Sequence, residues 1–75
     1  MQIRVLHVNS EDPWISSEIL MDYFGVTNPA VKVVERLIIE NALSIIENVG
    51  WVVSKVDDEK ENIISLLFIK PDENE

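Results

Sequence analysis

The run Ile63-Ile64-Ser65-Leu66-Leu67-Phe68-Ile69 holds six apolar residues in seven positions. Read as a strand, it sends Ile63, Leu67 and Ile69 to one side and Ile64, Leu66 and Phe68 to the other. A strand that is apolar on both sides is covered on both sides. Just upstream, Trp51 to Val56 (Trp-Val-Val-Ser-Lys-Val) has the β-branched content of a second strand, and the charged stretch Asp57 to Asn62 reads as the turn between them. The C-terminal part of the chain is thus a β-hairpin, followed by an acidic tail over residues 71–75.

Upstream of the hairpin, Gly50 is a helix stop, Asn28 suits an N-cap and Pro29 suits a first helical turn. Between them Val31, Val34, Ile38, Ala42, Ile45 and Val49 recur at three- and four-residue spacing, widened by Ala30, Val33, Leu37 and Ile46. Lys32, Arg36, Glu40, Ser44 and Glu47 fall on the opposite side. The pattern predicts one helix from Pro29 to about Asn48, about 30 Å long. Its β-branched residues leave a second option open, a break near Asn41 with Ala42 to Ile46 extended. A shorter helix precedes it, started by Asp12 and Pro13, or later at Ser16 or Ser17, and ended by Gly25. Ile15, Ile19 and Tyr23, with Leu20 and Phe24, mark its inner side; Glu18 and Asp22 mark the outer. Residues 2–8 form the first strand, with Ile3, Val5 and His7 on one face and Gln2, Arg4, Leu6 and Val8 on the other. Asn9 to Pro13 breaks it. The expected fold is α+β: strand, helix, helix, β-hairpin, a three-stranded sheet on two helices, one domain over residues 1–70. Whether the first strand runs parallel or antiparallel to the last is open.

Seventy-five residues allow a single domain. Fourteen acidic and six basic side chains give a formal charge of −8. The absence of cysteine excludes disulfides, thiolate metal sites and cysteine nucleophiles. His7 is the only histidine and, beside an apolar strand face, reads as a packed residue. Gly25 and Gly50 cannot build a phosphate-cradling loop, and Ser16, Ser17 and Ser54 lack a nucleophile-elbow context. No catalytic, metal or cofactor site is expected. The longest wholly apolar run, Leu66 to Ile69, is far short of the roughly 20 residues of a membrane span. No basic, apolar signal sequence opens the chain, so a cytoplasmic protein with no membrane partner is expected. So small a domain usually needs a staple. Two helices cover one side of the sheet, so a second copy or a partner is expected on the other, with a homodimer preferred.

Residues Ile19 to Ile38 resemble a helix-turn-helix. Leu20, Phe24, Gly25, Val26, Val31 and Val34 stand at the buried and turn positions of that pattern, while Met21 stands where it prefers a small residue. The order of elements over residues 2–70 is similar to that of a winged helix without its first helix. The resemblance implies a dimeric DNA-binding transcription regulator. Thr27, Asn28, Lys32, Val33 and Arg36 would then enter the major groove, with Lys55 and Lys60 on the wing. Charge points elsewhere. Asp57, Asp58, Glu59 and Glu61 surround Lys60, and Glu35 and Glu40 flank Arg36, where a phosphate backbone calls for a basic footprint. The preferred expectation is a small, acidic, non-enzymatic regulatory or interaction protein, self-associating, that binds a basic protein partner through Asp57, Asp58, Glu59 and Glu61. Such a role suits a phage- or virus-type inhibitor or a nucleic-acid mimic.

Overall fold

A computed structural model describes residues 1–72. Its elements are β1 (Gln2–Asn9), β2 (Trp14–Ser16), α1 (Ser17–Asp22), α2 (Pro29–Lys32), β3 (Arg36–Ile38), α3 (Ile39–Asn48), β4 (Val52–Asp58) and β5 (Ile63–Lys70). The acidic tail begins with Pro71 and Asp72, where Asp72 pairs with the N-terminal ammonium of Met1; the rest of that tail lies outside the described residues.

The α+β expectation holds. β5 is the centre of a three-stranded sheet ordered β1-β5-β4, and both neighbours run antiparallel to it, which answers the question of direction. Register pairs Ile3 with Ile69, Val5 with Leu67 and His7 with Ser65 on one side of β5. On the other side it pairs Val52 with Ile69, Ser54 with Leu67 and Val56 with Ser65. Because side chains alternate, all of these point to one face. Ile64, Leu66 and Phe68, with Leu6 and Val8, point to the other and lie against the helices.

The helical layer departs from the expected single long helix. Pro29 does open a helix, capped by the Asn28 side chain on the Ala30 N–H at 3.0 Å, but α2 ends after one turn. Residues 36–38 then extend and pair antiparallel with Trp14–Ser16. The alternative break near Asn41 fails as well, since Ala42 to Ile46 are helical in α3. The physical reason lies far away in sequence. Trp14 to Ser16, expected inside a helix begun at Asp12, is a strand that offers Arg36 to Ile38 a ladder, and Ile39 N–H donates to the Pro13 carbonyl at 2.8 Å. The backbone bonds lost from a continuous helix are thereby replaced. Ile15, now on β2, and Ile39, heading α3, are both buried. Of the two starts considered for the first helix the later one is found, with Ser16 as N-cap accepting from Glu18 N–H. Three helices and an added two-stranded sheet thus replace the two helices expected.

Aromatic packing joins the layers. Phe24 meets Trp51 edge-on at 5.6 Å between centroids and Phe68 at 4.4 Å. The buried Trp51 indole N–H donates to the Phe24 carbonyl at 3.1 Å. Gly25 follows at φ +73°, the left-handed turn that ends the α1 region, and a Cβ there would meet nothing within 4 Å. Trp51→Phe keeps most of the apolar area but strands that carbonyl, so it should lower the unfolding free energy by about 1–3 kcal/mol in urea titration. Gly25→Ala has no clash to suffer and should cost only the backbone term, about 1 kcal/mol. A larger loss for Gly25→Ala than for Trp51→Phe would contradict this ranking.

Candidate functional site

Two surfaces stand out, and both follow from β5 being central. The first is the open face of the sheet. Ile3 and Val5 of β1, Ile63, Leu67 and Ile69 of β5, and Val52 and Val56 of β4 share it. Several are highly exposed, Val56 at 66% and Val52 at 58%. No described element covers them. The face is also almost free of charge. Arg4, Lys55, Asp57 and Lys70 fall on the helix side by alternation, and only Asp58, at the end of β4, falls on the open side. At the middle of this face His7 Nδ1 lies 3.0 Å from the Ser65 hydroxyl, a cross-strand pair. His7 is exposed and not packed as expected, because its strand face has nothing over it.

The second surface is the outer edge of β1. Antiparallel strands present alternate residues' backbone groups to each side. The Tyr23 hydroxyl donates to the Val5 carbonyl at 3.3 Å, so Ile3, Val5 and His7 turn their backbone outward. Beside that edge, α1 leaves a groove of about 520 Å³ lined by Val5, Leu6, Glu18, Ile19, Asp22 and Tyr23. Glu18 and Asp22 are four residues apart, on one side of α1, and both are exposed. Among the described residues neither has an ionic partner. Arg4, the nearest cation in sequence on β1, is drawn over the Tyr23 and Trp51 rings at 5.4 and 5.8 Å.

The hairpin tip expected to bind a partner is arranged differently from a single acidic patch. Asp57 and Asp58 are successive residues on β4, opposite Ile64 and Ile63, so they point to opposite faces. Asp58 builds the turn, its Oδ1 accepting from Lys60 N–H at 3.1 Å and Glu61 N–H at 3.3 Å. Glu59 and Glu61 stand on the turn itself, where Asn62 takes φ 55°.

The five residues considered for DNA are spread over several elements. Thr27 lies in the connector, Asn28 caps α2, Lys32 ends it and Val33 follows at 83% exposure. Arg36 sits on β3, its guanidinium 5.1 Å over the Trp14 ring and 3.9 Å from Asp12. A four-residue α2 is about 6 Å long. Lys55 lies on β4 and Lys60 in the hairpin turn.

Among the described residues no group of three or more His, Asp or Glu side chains could hold a metal, and no helix is long and apolar enough to cross a membrane. No carboxylate is hydrogen-bonded to His7 there. No protein-family model, curated protein or solved structure matches this chain.

The sequence did mark the open-face residues, because both sides of β5 were apolar. It did not mark the groove. Glu18 and Asp22 read as an ordinary wetted helix side, and Tyr23 as part of the apolar stripe. The available signal was their four-residue spacing, which gains meaning only once β1 is known to be an edge. At the tip, Asp58→Ala should lower stability by about 0.5–1 kcal/mol through the lost turn bonds, while Glu59→Ala should leave it unchanged, in urea titration. Equal effects would remove the turn-building role of Asp58.

Proposed function

We propose that this chain is a non-enzymatic cytoplasmic interaction protein that works as a self-associated pair, two copies meeting through the open faces of their sheets and turning acidic surfaces to a basic protein partner. One observation carries the reading: a nearly charge-free apolar face on a chain of net charge −8. Of the charged side chains carried on the three strands, only Asp58 falls on this face. The exposed apolar area is on the order of 600 Å² per copy, as large as the largest patches monomers carry. Two such faces would bury on the order of 1,200 Å², the lower edge of specific interfaces. Sheets packed this way lie about 10 Å apart with strands roughly aligned. An association of that size is reversible, and the charges left at the rim oppose it.

Salt separates the two halves of the proposal. Screening weakens the repulsion between like-charged copies, so added salt should tighten self-association. It should weaken capture of a basic partner. Sedimentation equilibrium at about 100 μM protein should give twice the 8.6 kDa chain mass, rising in occupancy from low to high salt. Leu67→Glu, on the open face, should return the mass to that of one chain with an unchanged far-ultraviolet spectrum. A single-chain mass for the wild type at every salt concentration would sink the paired reading. Affinity capture before and after nuclease treatment addresses the partner: nuclease-resistant protein supports this proposal, and duplex DNA lost on treatment would favour the helix-turn-helix alternative through Lys32 and Arg36.

A further inference from the structure

We infer that the outer edge of β1 accepts an extended, basic, amphipathic segment of a partner protein as an added strand, with Glu18 and Asp22 reading its cations. The inference rests on the proposed binding of a basic partner and assigns that binding a place. Strand addition needs outward backbone groups, room beside them and side-chain selectivity. The outward groups are those of Ile3, Val5 and His7, as the Tyr23 bond to the Val5 carbonyl places them. Among the described residues, that hydroxyl and the Arg4 guanidinium on the Ile3 carbonyl are the only side-chain donors on this edge. The room is the groove alongside α1.

Selectivity follows from alternation. A strand laid beside β1 continues both faces of the sheet. Its open-side residues extend the apolar row of Ile3 and Val5, so they should be apolar. Its helix-side residues lie over Glu18, Ile19 and Asp22, so they should carry lysine or arginine on long stems. The opposite edge of the sheet fits such a guest less well. By the same alternation β4 turns outward the backbone of Val53, Lys55 and Asp57, two of them charged, which is how edges are blunted.

Tyr23 makes the site testable beyond charge. An incoming strand donates its own N–H to the Val5 carbonyl, displacing the Tyr23 hydroxyl that now occupies it. Removing the hydroxyl should therefore strengthen binding. The probe is a fluorescein-labelled seven-residue peptide of alternating lysine and valine, followed by anisotropy with the full chain at about 50 mM salt, where surface charge is weakly screened. Saturable binding is expected. Glu18→Gln with Asp22→Asn should weaken it about fivefold, in keeping with two exposed ion pairs. Tyr23→Phe should tighten it about twofold or more, the scale of one modest hydrogen bond no longer displaced. The same peptide N-methylated at every residue keeps its charge, has no N–H to offer the Val5 carbonyl from either edge, and should not bind.

Unchanged affinity in both the Glu18/Asp22 and Tyr23 variants overturns the proposal, as does equal binding of the N-methylated peptide or no saturable binding at all. If only the variant with Asp57, Asp58, Glu59 and Glu61 all replaced by Ser or Asn loses the peptide, binding to a basic partner stands and this site falls. Sedimentation with saturating peptide provides the last arm. A pair that persists supports an edge free to accept a guest; a pair that the peptide splits means a second copy holds the edge, which overturns the assignment. The mass without peptide judges the paired architecture separately.

Discussion

One buried polar bond crosses the hydrophobic core that joins the layers of this protein: the Trp51 indole N–H on the Phe24 carbonyl, 27 residues away in sequence. Phe24 closes the α1 region and Trp51 opens the path into β4, so the bond fixes the helical layer against one side of the sheet. Phe68 of the central strand packs into the same aromatic group. Above the indole, Arg4 and Lys70 spread their charged ends within 6 Å of the ring, so two of the six basic residues are spent roofing the core. That side of the sheet is sealed, and the other is left open.

The sheet has two faces and the chain covers one. That asymmetry would be unremarkable if the bare face were polar, since antiparallel sheets often show water one wetted side. Here seven valine, isoleucine and leucine residues share it with His7, Ser54, Ser65 and, at its end, Asn9 and Asp58, while carboxylates crowd the helices and loops. Mutual repulsion between copies is strongest where charge lies and weakest on that face. The same distribution leaves the α1 flank of β1 acidic. One arrangement thus leaves an apolar face and an acidic edge on the same sheet, and the proposed like and basic partners rest on that division.

Local signals in the sequence located most of the fold. β-branched runs placed β1, β4 and β5; Gly25 and the Asn28-Pro29 pair placed turn and cap correctly; alternation in β5 sorted its residues onto the right faces. The failure at residues 29–48 has one cause. Helical periodicity measures neighbours three and four residues away, whereas the fate of Arg36 to Ile38 is set by Trp14 to Ser16, some twenty residues upstream. A three-residue strand is too short to announce itself by alternation. The acidic tip was easily read because it is a run in sequence, yet space divides it, Asp57 and Asp58 parting to opposite faces. The edge groove was illegible for the converse reason: Glu18, Asp22 and Val5 converge only after β5 has chosen β1 as its neighbour.

The place of β5 also governs how the chain comes together. The middle strand of the sheet is the last element in sequence, and β1, the first, waits for it across more than fifty residues. During synthesis β1 has no partner until β5 emerges, whereas β4 precedes β5 by only a short turn, so β1 is the strand left with bare edges while the rest of the chain is made. Assembly of the sheet is then a late, long-range closure, slow by the standards of chains rich in local contacts. With a net charge of −8, neighbouring chains repel one another until the final ribbon slots between the other two.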